Sequence, residues 1–175
     1  IFELGTLNGA SAHWLHTLTK QYTNDAKVIS FDITNPDGIH EIFYEASYQM
    51  PDNLQFVQFD ANDITTIPKD IFHSPKPWLV IEDCHVNIVN TLSVFDQHMI
   101  TGDYIVIEDT NPLGPDKPLV FKDIEYVPYG DVKLNQTRDF LNTLDNEDVY
   151  HVDQYYCDLY GYNSTWQWNS VLKHL

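Results

Sequence analysis

Val80-Ile81-Glu82-Asp83 returns later in the chain as Val106-Ile107-Glu108-Asp109, and each copy closes a short apolar run, Leu79-Val80-Ile81 in the first case and Tyr104-Ile105-Val106-Ile107 in the second. Short β-branched runs of this kind read as strands buried on both faces. Between them Val86, Val89, Leu92, Phe95 and Met99 recur every three or four residues. That spacing predicts an amphipathic helix, stopped at Thr101-Gly102. Strand, helix and strand in this order form the repeating unit of a parallel sheet wrapped by helices.

The same alternation extends upstream. Ile1 to Leu4 is a first apolar run, followed by a glycine turn and a helix over 10–20 that carries Ala12, Leu15 and Leu18, with Ser11 in its first turn. Residues 27–31 (KVISF) read as a strand closed by Asp32, residues 36–48 as a helix, and residues 54–59 as a strand closed by Asp60. Downstream, NPLGPDKP at 111–118 reads as a loop on the carboxylate edge and a candidate substrate lid. A helix is expected over 131–144, with Val132, Leu134, Phe140, Leu141 and Leu144 as its apolar residues. The remainder, dominated by Tyr155, Tyr156, Tyr160, Tyr162, Trp166 and Trp168, has strand character and suggests an aromatic-lined mouth.

One domain over 1–175 is expected, since a chain of this length buries about 70% of its unfolded surface. No segment approaches the roughly 20 consecutive apolar residues of a membrane span, so a soluble, cytoplasmic chain is expected. Ile1 already lies in a strand-like run, and further residues are expected to precede it. With 26 acidic against 9 basic residues and a formal charge of -17, a phosphate-tracking surface is disfavoured and no nucleic-acid partner is expected. The charge suits cations instead, and self-association is left open. Cys84 and Cys157 make neither a disulfide framework nor a zinc set.

In an open parallel sheet, ligands bind beyond the carboxyl ends of the strands. Acids stand at those ends one after another: Glu3, Asp32, Asp60, Asp83, Glu108 and Asp109. The turn after the first strand, Glu3-Leu4-Gly5-Thr6-Leu7-Asn8-Gly9, has G-x-x-x-G spacing rather than the G-x-G-x-x-G of a dinucleotide site. Its missing middle glycine disfavours a pyrophosphate but tolerates S-adenosylmethionine, which has no phosphate. Glu3, Gly5, Thr6, Gly9 and Ser11 are the candidate cofactor residues. Asp32 stands where a carboxylate would accept from ribose hydroxyls, and Asp60 where one would accept from the adenine amino group. Asp83, Glu108 and Asp109 form an oxygen-rich set suited to Mg²⁺, Mn²⁺ or Ca²⁺. Asp83 is read as catalytic through that metal. His85 is the candidate general base, with a supporting partner of a metal ligand and a plain structural histidine as alternatives.

FELGTLNGAS at 2–11, LVIEDCHV at 79–86 and GDYIVIEDTN at 102–111, in that order, resemble the metal-dependent methyltransferases grouped as cephalosporin hydroxylase-like and rhamnosyl O-methyltransferase-like proteins. The resemblance implies a Rossmann-like class I methyltransferase fold, a mostly parallel sheet with helices on both faces and an antiparallel C-terminal strand. It also implies S-adenosylmethionine on the first segment and a divalent metal, usually magnesium, on Asp83, Glu108 and Asp109. The run Glu82-Asp83-Cys84-His85 and the ending Trp166 to Leu175 depart from the family pattern and bear on substrate identity. The expected function is metal-assisted O-methyl transfer to a small hydroxylated molecule such as a sugar, a phenol or a natural product. The alternatives are a nicotinamide-dependent oxidoreductase on the same fold and a non-catalytic S-adenosylmethionine-binding partner of a two-component enzyme.

Overall fold

The computed structural model describes residues 1–35, 50–110, 129–145, 148–159 and 169–175. The helix expected over 36–48 and the loop over 111–118 lie outside the described residues, as do Tyr160, Tyr162, Trp166 and Trp168. Five strands follow the sequence pattern: β1 (Phe2–Leu4), β2 (Val28–Asp32), β3 (Leu54–Gln58), β4 (Leu79–Glu82) and β5 (Tyr104–Ile107). Interleaved with them are α1 (Ala10–Thr19) and α2 (Val89–Asp96), and after them come α3 (Tyr129–Leu141), β6 (Tyr150–Val152), α4 (Gln154–Cys157) and β7 (Val171–His174). Two short 3-10 turns, Ile64–Thr66 and Lys69–His73, bridge β3 and β4 without any expectation from the sequence.

The strands form one sheet in the order β3-β2-β1-β4-β5-β7-β6. The first five are parallel, and β7 runs antiparallel to both β5 and β6. The expected antiparallel C-terminal strand is β7, which inserts between β5 and β6. Strand order reverses direction at β1 and β4, and in an open α/β sheet that reversal opens a crevice at the carboxyl ends.

Side chains alternate between the two faces. Phe2, Leu4, Ile29, Phe31, Val80, Ile105 and Ile107 meet Leu92 and Phe95 of α2 and Phe140 of α3 on one face. Val28 and Leu54 meet Ala12 and Leu15 of α1 on the other. Each such fully buried side chain is worth roughly 1.5–3 kcal/mol of hydrophobic transfer.

The helix expected from Val86 begins at Val89, where the Asn87 side-chain oxygen accepts the Val89 N–H at 3.0 Å in a turn that precedes the first helical residue. In α3 the buried stripe is Lys133, Thr137 and Phe140, while Val132 is half exposed to solvent. Phe140, Leu141 and Leu144 pack on the core as expected, and of the expected apolar residues Val132 departs from it.

Candidate functional site

Register explains the placement of the acids. Val80 pairs with Ile105, Ile81 with Val106 and Glu82 with Ile107, so the two Val-Ile-Glu-Asp copies lie one residue out of step. A one-residue offset exchanges faces. Glu82 consequently shares the face of Ile107 and is buried, 1% exposed. Asp83 becomes the lateral neighbour of Glu108: the Asp83 N–H donates to the Leu4 carbonyl at 2.8 Å and the Glu108 N–H to the Glu82 carbonyl at 2.9 Å.

Asp109 adopts φ 57°, the left-handed region that aspartate tolerates better than bulkier residues. Carboxylate oxygens of Asp83 and Asp109 and a ring nitrogen of His85 lie within 4.8 Å of one another. Of the expected metal set, Asp83 and Asp109 come together, and His85 joins them. Glu108 falls outside that group but within electrostatic reach. Burial first, then the Asp83 and Asp109 charges, pushes its carboxyl up to about 7. Burial also raises Asp83, as does Asp109, while Lys133 and His85 oppose the rise. Carboxylates crowded in this way are relieved by a cation, and their oxygen donors with one imidazole suit a divalent ion. The residues present fit a metal.

The glycine loop expected to take the cofactor follows β1 and stands against the same site. Gly5 has φ 105°, and a Cβ there would lie 2.7 Å from the Asp83 carbonyl oxygen, so the loop packs directly on the backbone of the acidic turn. The Gly5 and Thr6 N–H groups donate to the Phe31 carbonyl at 2.9 and 3.1 Å. Gly9, at φ 81°, opens α1 without a side-chain cap. Glu3 and Thr6 are buried rather than open to a ligand. Ser30 links them, its hydroxyl donating to Glu3 and sharing a hydrogen bond with Thr6. Burial raises the Glu3 carboxyl against hydrogen bonds from Ser11 and Ser30. This polar strut supports the loop from beneath.

Asp32 accepts the Leu7 N–H at 2.9 Å on one oxygen and the Thr34 N–H at 2.8 Å on the other, which leaves each oxygen a lone pair for further donors. Leu7, at φ 50°, is the strained residue that turns its N–H inward. Asp60 accepts from the backbone and side-chain amides of Asn62 on one oxygen, organising the turn after β3. No phosphate-seating glycine stands in the middle of the loop, and its close backbone fits a cofactor without one.

Two residues of this region were missed from the sequence: Glu82, hidden by the offset register, and Lys133, whose Nζ lies 3.0 Å from Glu82 Oε2 in the interior. The signal for Lys133 was its spacing to Thr137 and Phe140 on one helical face. Burial, opposed by Lys133, raises Glu82 to about 7. Burial pushes the Cys84 thiol up to about 12, which leaves it a poor nucleophile.

The family model described as rhamnosyl O-methyltransferase/CmcI matches residues 1–163. The chain belongs to the rhamnosyl O-methyltransferase/CmcI family. Among solved structures, an apo structure of CmcI matches with a TM-score of 0.64 and 24% identity, covering 99% of this chain and 63% of that one. A CmcI structure described as Mg-SAM matches with a TM-score of 0.61 and 23% identity over the same shares, 99% and 63%. At these identities the likeness shows the fold, and the chain spans 63% of the length of those CmcI proteins. No curated protein matches it. Among the described residues, no helix is long and apolar enough to cross a membrane.

Proposed function

We propose that the chain is an S-adenosylmethionine-dependent O-methyltransferase acting, with a divalent cation such as Mg²⁺, on a small hydroxylated molecule. The observation that carries this reading is the convergence of Asp83, His85 and Asp109 beside Gly5, so that a cation site and a phosphate-free cofactor loop share one wall. Membership of the rhamnosyl O-methyltransferase/CmcI family supports it, as does the likeness to a CmcI structure described as Mg-SAM.

In this reading Gly5 and Gly9 bring the backbone close to the cofactor at the start of α1. The open lone pairs of Asp32 accept from the ribose hydroxyls, and Asp60 accepts from the adenine amino group. Glu3, Thr6 and Ser11 hold the loop in shape. Asp83 and Asp109 hold the cation, His85 joins them as a ligand rather than standing apart as a base, and Glu108 closes the set from the side. A bound divalent cation supplies Lewis acidity toward a substrate hydroxyl. Methyl transfer also needs that oxygen aligned with the methyl group, and the rigid strand ends of β4 and β5 provide the alignment.

Calorimetry with S-adenosylmethionine, with and without Mg²⁺, tests the reading, followed by transfer of a labelled methyl group to a panel of sugars and phenols. Cofactor binding and metal-dependent labelling are expected. Absence of S-adenosylmethionine binding under both conditions would remove the proposal.

A further inference from the structure

Lys133 sits where lysine rarely does. A lysine stem usually lies along apolar surface with its ammonium in water, yet this side chain is 2% exposed and faces Glu82, which is 1% exposed. Nζ and Oε2 are 3.0 Å apart, and among the described residues neither atom has an aligned hydrogen bond. Drawing both charges out of water costs several kcal/mol per ion, and an apolar pair of similar shape would fill the same space more cheaply. Packing alone does not account for the pair.

The other oxygen of Glu82 shows what the pair accomplishes. Glu82 Oε1 accepts the Cys84 N–H at 2.7 Å, and Cys84 is the residue between Asp83 and His85. The turn that presents two members of the cation cluster is therefore tied to an interior carboxylate, and that carboxylate is held from α3. Lys133 also opposes the upward push on Asp83 and Glu108, so its charge is felt across the site.

We propose that Lys133 is a positioning residue for the cation site: its ammonium fixes Glu82, Glu82 fixes the Cys84 backbone, and the fixed turn sets the convergence of Asp83 and His85 on Asp109. This rests on the metal reading given above. It assigns α3 a role in metal binding although, among the described residues, the cation cluster takes no side chain from that helix.

The test uses the whole chain of residues 1–175 and two readouts that need no turnover, namely hydrogen exchange of the Cys84 amide in metal-free protein and affinity for Mn²⁺ alone. Lys133→Met keeps the apolar stem and removes the charge. The expected result is faster exchange at Cys84 and Mn²⁺ binding weakened about 10–100-fold, the range for groups that orient metal ligands, with Lys133→Arg recovering part of both. Unchanged Cys84 exchange, unchanged Mn²⁺ affinity or tighter binding in folded Lys133→Met would overturn the proposal. Should that variant fail to fold, Glu82→Gln is judged by the same criteria. If the unsubstituted chain takes up no Mn²⁺, the metal reading fails and this inference with it. If it binds Mn²⁺ and Lys133→Met binds equally well, this inference alone fails.

Discussion

Strand β5 is bordered by acids at both ends, and they have opposite fates. At its amino end Asp103 is fully buried and accepts three donors: the Trp78 N–H at 2.7 Å, the Ile100 N–H at 2.9 Å and the Lys76 ammonium at 2.6 Å. Its charge is met by the chain itself. At the carboxyl end Glu108 and Asp109 meet Asp83, another carboxylate, and burial together with those charges drives Glu108 up to about 7. An acid satisfied by its own protein holds the fold together. Acids that raise one another's protonation instead call for a ligand from outside.

Exchanging the two ends in experiment separates these roles. The largest effect is expected from Asp109→Ala, which should lower metal-dependent methyl transfer by on the order of 10²–10³-fold, the several kcal/mol a metal Lewis acid supplies. Its melting temperature without metal should hold or rise, because a repulsive charge is gone. Asp103→Ala should do the reverse. It leaves a half-buried ammonium and two N–H groups without their acceptor, so a loss of roughly 2–4 kcal/mol is expected in denaturant unfolding. The fraction that folds should bind metal normally. A catalytic loss in Asp103→Ala without a stability loss would blur the distinction.

Gly5→Ala probes the wall between cofactor loop and acidic turn. A Cβ there meets the Asp83 carbonyl at 2.7 Å, and φ is 105°, so about 1–3 kcal/mol of strain is expected, with S-adenosylmethionine and metal affinity falling together. A loss of cofactor binding alone would show that the two halves are independent.

The smallest effect is a pH dependence. Glu82 and Glu108 are both raised from 4.5 to about 7. The native state therefore binds more protons than the unfolded chain between those values, and stability falls as pH rises through that window. Metal-free protein should melt a few degrees lower at pH 7.5 than at pH 5, and added Mg²⁺ should restore the loss at pH 7.5 but not at pH 5. A melting temperature that rises over the same range in chelator would contradict the crowding of these acids.

Strands β1 to β5 and helices α1 and α2 were legible because buried parallel strands are short apolar runs and amphipathic helices keep their period. That the glycine loop, Asp83 and Asp109 share one edge was legible because parallel strands all deliver their carboxyl ends there. Glu82 was not, since identical Val-Ile-Glu-Asp segments imply equal roles unless the register between β4 and β5 is known, and register is a property of two strands. Lys133 was missed for a related reason: a lysine in a helix reads as solvated until its partner is found on another element. For His85 the sequence left base, supporting partner and structural residue open, and its approach to Asp83 and Asp109 is what supports the proposed ligand role. The insertion of β7 between β5 and β6 depends on long-range pairing that no local pattern carries.

The most direct test of the carboxyl-end site is a Mn²⁺ titration followed by electron paramagnetic resonance, comparing the unsubstituted chain with Asp83→Asn and Asp109→Asn at pH 7.5. The account predicts saturable loss of the free Mn²⁺ signal in the unsubstituted chain and free signal throughout in both variants. Equal uptake by all three, or none by the unsubstituted chain, would contradict it.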